Sequence, residues 1–340
     1  MEMRHSQSDF GESESEYRAA SESAAIFDVS DRTQLQMSGS DRHSFFHGFC
    51  TNDIKGLQVG AGCEAFLCNV KGRILGHVFV FADEQSLWIE SVPGQGNALT
   101  SHLNKYHLVE DIELVDRTNS LAEFLVSGPE AVQQLSAAGI DVSGLEPWRH
   151  STLTVQADER SIECHVKRVD IFGASGFLVT TAVKDSDSLW KHLTEAGIQA
   201  AGRSVFESLR IEAEFPWYGI DLSDENLAQE AGRTEQTISF QKGCYLGQEP
   251  IARLNAMGHV NKALASFMID ASETPPVGTV LLNPKNEDKE AGRATSVAWS
   301  WTSSKPIGLG MVRSLFLEPG TRLPLASEPR AAATIRQAAR

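Results

Sequence analysis

The chain has 340 residues, 41% of them hydrophobic, and a formal net charge of −15. That length can bury a sizeable core in two or three units, while the charge argues against a general nucleic-acid binder, whose affinity rests on phosphate contacts from a basic face. No run approaches the roughly eighteen apolar residues of a membrane span. The Glu-, Ser- and Arg-rich start lacks the apolar core of a signal peptide and is too acidic for a mitochondrial transit sequence, so a cytoplasmic protein is expected. The five cysteines, at positions 50, 63, 68, 164 and 244, show no CxxC and no zinc or cluster spacing. Their odd number points to reduced thiols, and no stably bound metal is expected.

Residues 1–23 are polar and acidic, with little surface to bury, and read as a disordered arm. Order is expected from Ala24 and Ile26 onward. Leu35 and Met37 alternate with Gln34, Gln36 and Ser38, the pattern of a strand with one buried face. Asp41 is placed to cap a helix that carries Phe45, Phe46 and Phe49. Two strands follow, Gly62 to Val70 and Arg73 to Phe81, joined by the turn Lys71-Gly72. Leu99, Leu103 and Tyr106 share one side of a helix, and Asp111 to Val115 alternates as the strand after it. Leu125 to Ser127 is a strand running through Gly128-Pro129 into a helix, with proline where a helix start tolerates it. Strand, helix and strand recur in two loosely similar halves, which predicts an α+β arrangement with antiparallel pairing.

A helix is expected over Ser204 to Ala213. Val205, Leu209 and Glu212 fall four and then three residues apart, so the Glu212 carboxylate lies on the apolar face. A buried charge is paired or functional, which leaves an ion pair with Arg210 or another arginine open beside a ligand-binding role. From Lys262 the chain turns to short strands separated by Pro275-Pro276 and Asn283-Pro284, the composition of a small β-barrel expected over 261–326. Residues 327–340, rich in Ala and Arg, are expected to form a flexible tail.

The stretch with chemistry in it is Lys242-Gly243-Cys244-Tyr245-Leu246-Gly247-Gln248-Glu249. Glycines bracket a cysteine that has Lys242 before it and Arg253 after it. Positive charge lowers a thiol's pKa from its usual ~8.5, and glycine permits positive φ or close approach of a ligand.

This stretch, followed by Pro250-Ile251-Ala252-Arg253, resembles the signature of the YgfZ family of folate-binding proteins, relatives of the aminomethyltransferase (T-protein) of the glycine cleavage system. Gly39-x-Asp41 with Thr51-Asn52-Asp53, Leu103-x-Lys105-Tyr106, the Gly128-Pro129 turn, and Arg168 followed by Gly173, Gly176 and Phe177 resemble the same fold in the same order. Gly292-Arg293-Ala294 and Ile307 to Arg313 resemble its C-terminal barrel. The resemblance covers roughly residues 24–325. It implies a folate-binding domain over 24–260, made of two related α+β subdomains, ahead of the barrel.

Leu209-Arg210-Ile211-Glu212-Ala213 with Pro216, Tyr218 and Gly219 is similar to the T-protein segment whose glutamate holds the pterin ring, with Glu214 departing from the family's usual glycine. The resemblance therefore implies that Glu212 orients the pterin of tetrahydrofolate or a one-carbon derivative and that Cys244 is the reactive thiol. Lys242 and Arg253 would favour the thiolate or hold the folate's carboxylate tail. Gln248 would brace the loop, and Tyr218 and Tyr245 would stack on a flat ring or fill the core. The implied role is support of iron–sulfur cluster assembly or repair, with an effect on tRNA modification and with iron–sulfur client or assembly proteins as partners. Two other roles stay open, a folate-dependent aminomethyl- or methyltransferase and a non-enzymatic folate-dependent scaffold. Against the transferase, Gly72-Arg73-Ile74-Leu75-Gly76-His77 contains no carboxylate where the glycine-cleavage enzymes supply an aspartate; His77 is the one proton-handling group there.

Overall fold

The computed structural model describes residues 4–157 and 160–338. The chain forms two compact units, one built from the stretch ending at His47, Asp53–Glu64 and Val78–Phe206, the other from Gly48–Asn52, Ala65–His77 and the stretch from Glu207 onward. The division therefore falls inside the segment 24–260 that the sequence presents as one domain. Among the described residues, no helix is long and apolar enough to cross a membrane.

The first unit contains a six-stranded sheet in the order Gln199–Ala200, Ala25–Asp28, Leu121–Ser127, Gly176–Ala182, Arg160–Val169, His150–Ala157. All its pairs are antiparallel except the first. Alternation explains its two faces: Ile162, Cys164 and Val166 join Phe177 and Val179 in a buried core with Leu189 and Leu193 of the helix Ser186–Glu195. The intervening Glu163, His165 and Lys167 point to the other face. A second sheet has the order Gly62–Cys68, Ile74–Ala82, Ser86–Ser91, Thr33–Ser38, Glu113–Asp116. Asp41 does not cap the helix Arg42–His47; its carboxylate accepts the Asp111 N–H at 2.8 Å.

Within its described part, the expected arm over residues 1–23 is corrected. Ser13–Glu22 is a helix with Tyr17 and Ala20 buried. Its Glu16 is also buried and accepts the Gly202 N–H at 2.9 Å, while Arg4 pairs with Asp28 at 3.1 Å. Composition misled here because buried ionisable side chains with partners count as structure, not as solvent-facing charge. Residues 1–3 lie outside the described part.

The second unit carries a closed six-stranded barrel in the order Lys262–Ile269, Lys305–Arg313, Asn286–Ser300, Val280–Asn283, Arg322–Leu325, Glu328–Ala338. Phe267, Ile269, Leu281, Val312, Leu323 and Ile335 fill it. Gly308 is required opposite Phe267, whose ring a Cβ would meet at 2.5 Å. The barrel does not stop at 326, and the tail expected over 327–340 is corrected as far as 338. Glu328–Ala338 pairs with both Lys262–Ile269 and Arg322–Leu325. Ala331, Ala333 and Ile335 alternate along it as inward-facing, buried residues of the barrel core.

Candidate functional site

The cysteine loop of the second unit is held by what surrounds Cys244. Thr51 is fully buried and connects three segments. Its hydroxyl donates to the Thr237 carbonyl at 2.6 Å and accepts the Phe66 N–H at 2.9 Å, and its carbonyl accepts the Ser239 N–H at 3.0 Å. Lys242 turns inward, 8% exposed, and donates to the carbonyls of Cys50 and Asn52 at 2.8 Å each. Tyr245 is equally buried and packs with Phe66, Cys68, Ile74 and Ile251. Burial, and after it Cys68 and Cys50, raises its phenol pKa.

The loop ends at Gly247, where φ is 84° and an added Cβ would lie 2.4 Å from the Asn69 carbonyl oxygen. Of the two glycines flanking the cysteine, only this one uses the left-handed region. The helix Gln248–Met257 starts immediately after. Ile251 buries itself, Gln248 is half-buried and Arg253 is exposed.

Cys244 itself is exposed, whereas Cys50, Cys68 and Cys164 are buried and Cys63 is half-buried. Burial, followed by Cys50, pushes the Cys68 thiol up. Burial, followed by Glu163 and Asp185, pushes Cys164 up to about 12. The accessible thiol thus sits on a loop whose neighbouring residues are anchored.

Glu212 ends the helix Arg203–Glu212. Val205 and Leu209 are buried beside it, Glu212 is half-buried, and its Oε1 is out of solvent. The ion pair with Arg210 is excluded by counting donors. Arg210 is fully buried, and its five N–H groups go to Glu207 twice, the Phe215 carbonyl, Asp221 and Ser296. Asp221 is the hub of this network, accepting also from the Trp217 N–H at 2.9 Å and from Thr295 and Ser296 at 2.6 Å each.

The pairing of Arg210 with Asp221 was not anticipated from sequence. The available signal was an arginine on the helix beside Glu212 with an acidic residue just beyond the next turn. Glu214 holds φ at 61°, a conformation glycine adopts freely, and its carboxylate accepts from Ser266 at 2.5 Å. Tyr218 is half-buried and donates to the Ile74 carbonyl at 3.5 Å. His77 is 5% exposed and stacks on Phe215, centroids 5.4 Å apart, with Phe66 at 5.0 Å.

Comparison with known proteins decides the family. The GCVT N-terminal domain matches residues 4–242, and the glycine cleavage T-protein C-terminal barrel domain matches residues 262–338. The chain belongs to the glycine cleavage T-protein family. It is 26% identical to the aminomethyltransferase of Thermoanaerobacter pseudethanolicus over 316 residues, covering 91% of this chain and 83% of that one. It is 27% identical to the aminomethyltransferase of Symbiobacterium thermophilum over 320 residues, with the same coverage, 91% and 83%. The glycine cleavage system aminomethyltransferase T from Bartonella henselae has the same fold, with a TM-score of 0.84 at 18% identity over 95% of this chain and 87% of that one. Within the T-protein family fold, the barrel match ends at residue 338, in agreement with the strand Glu328–Ala338.

Proposed function

We propose that this T-protein family member is a YgfZ-type folate-binding protein that supports assembly or repair of iron–sulfur enzymes in the cytoplasm, with tRNA modification affected downstream. The observation that carries the reading is the placement of Cys244: it is exposed on a loop whose other residues, Lys242, Tyr245 and Gly247, are anchored. A cysteine held this way is presented to a partner, and the clients are iron–sulfur proteins that meet the thiol on the surface. Lys242 acts as a positioning residue for that loop, and Gln248 extends it into the following helix.

Tetrahydrofolate fits the chemistry of Glu212, since a carboxylate with one oxygen out of solvent suits the paired N–H donors of a pterin edge. When bound, the folate supplies a one-carbon carrier. Tyr218, half-buried, would border the ring, and Arg253, exposed on its helix, would meet the carboxylate tail.

Calorimetric titration of tetrahydrofolate under reducing conditions tests this. Saturable binding to the wild type, weakened at least about tenfold in Glu212→Ala, is expected from the loss of charge-assisted hydrogen bonds. A folded wild type that does not bind overturns the folate assignment.

The second reading, an aminomethyltransferase, is favoured by the names of the relatives. Against it stands His77 between aromatic rings in the segment where the transferases carry an aspartate. Methylene-tetrahydrofolate formed from an aminomethyl donor, and abolished by His77→Ala, would replace the first reading.

A further inference from the structure

The first unit contains a cavity of about 430 Å³, within the size range of small-molecule sites. Its wall draws Gln34 and Trp88 from one sheet and His165, Lys167 and Thr180 from the other. None of the residues assigned above to folate or to the cysteine loop lines it.

Three polar atoms of the wall are out of place for a purely structural role. Gln34 is fully buried, and neither its Oε1 nor its Nε2 has a hydrogen-bond partner among the described residues. The Trp88 indole N–H is likewise buried without one. Buried polar groups are nearly always paired, and each exception calls for a cause. Register puts the two side chains on one face: Gln36 is opposite Trp88 and Gln34 is opposite Glu90, so Gln34 and Trp88 are diagonal neighbours.

The acceptor that His165 offers follows from the tautomers. The Ala82 carbonyl can only accept, so His150 donates to it through Nε2 at 2.8 Å. His150 Nδ1 is then an acceptor, and His165 donates to it through Nε2 at 2.7 Å. Burial, then Lys167 and His150, holds His165 neutral, so its Nδ1 carries a lone pair and no proton.

The charges of the wall select against anions. Among the described residues of the wall, Asp83, Glu163 and Asp185 face a single cation without an ion-pair partner, Lys184, because the Lys167 ammonium is already held by Glu90 and by Glu123, the latter at 3.2 Å.

We propose that this cavity binds an uncharged ring with a carbonyl and N–H edge, a pyrimidine-dione nucleobase or its nucleoside. Its ring N–H donates to the Gln34 carbonyl, one ring carbonyl accepts from the Gln34 amide, and another accepts from the Trp88 indole.

Calorimetry with uracil, uridine and uridine 5′-monophosphate tests the assignment on the full chain. Saturable binding of uracil or uridine is expected, with the monophosphate at least about tenfold weaker because of the acidic wall. Gln34→Leu and Trp88→Phe, each removing hydrogen-bonding groups while keeping an apolar side chain of similar size, are expected to weaken binding about tenfold each, with tetrahydrofolate titration unchanged. Absence of saturable binding to folded wild type overturns the proposal, as does equal affinity in Trp88→Phe should Gln34→Leu not fold. Binding of the monophosphate as tight as the nucleoside would overturn the neutral-ligand assignment.

Discussion

The Lys242 ammonium lies 4.8 Å from the centre of the Tyr245 ring, and the exposed Cys244 is carried on the backbone between these two buried residues. With its hydrogen bonds to Cys50 and Asn52, Lys242 fixes one end of the loop. Lys242→Met is expected to cost about 2 kcal/mol, since the buried Cys50 carbonyl and the part-buried Asn52 carbonyl lose their charged donor. Urea denaturation measures the loss. Hydrogen exchange at residues 243–246 should quicken at the same time, and unchanged exchange would show that the loop is held by something else.

The other end of the loop depends on Gly247. Gly247→Ala combines positive φ with a clash against the Asn69 carbonyl oxygen at 2.4 Å, and a loss of about 3 kcal/mol is expected. Gly94→Ala is the matched control, with φ of 77° and nothing within 4 Å of the added Cβ; conformational strain alone should cost about 1 kcal/mol there. Equal losses in the two variants would mean that the loop shifts freely away from Asn69.

Alkylation should discriminate among the thiols. At neutral pH, iodoacetamide in slight excess is expected to modify Cys244 first, since Cys68 and Cys164 are buried and held protonated and the thiolate is the reacting form. Peptide mass mapping with time reads the order. Labelling of Cys68 or Cys164 in step with Cys244 would contradict the native burial of those thiols.

The buried ion network of the first unit gives a pH dependence. Burial, and after it Glu123, pushes the Glu90 carboxyl up to about 7, above its value of roughly 4.3 in an unfolded chain. The folded state therefore keeps a proton that the unfolded chain releases. This contribution is full below the unfolded pKa and is lost as pH rises through about 7. Glu123 runs the other way: burial opposes its charge, but Lys167 and Arg32 hold its pKa low, so its contribution is lost on acidification. Glu90→Gln should flatten the decline in stability between about pH 5 and pH 8, followed by urea midpoints at each pH. An unchanged slope would assign that titration to another group.

Much of the fold was legible because it rests on local patterns. Leu35 and Met37 announced their strand by alternation, and both are fully buried. The cysteine loop was legible from residue types alone. Its anchoring was not, because Lys242 reaches the carbonyls of Cys50 and Asn52, far away in sequence. Glu212 was placed on the apolar face by spacing, yet its neighbour Arg210 looked like the partner until the donors were followed to Asp221 and Ser296. The helix Ser13–Glu22 and the strand Glu328–Ala338 were missed for a common reason. Polar or small residues become structural through partners elsewhere in the chain, and composition does not report such pairing.

The order in which the barrel's strands emerge during translation has a consequence for the cell. Lys262–Ile269 is made first and is bordered by Lys305–Arg313 and by Glu328–Ala338, the strand made last. Until that last strand has left the ribosome, the first presents a bare edge of unpaired backbone groups, the kind of surface on which nascent chains stick to one another. Ring closure is thus a late event in synthesis, and the interval before it is when this half of the molecule most needs a chaperone.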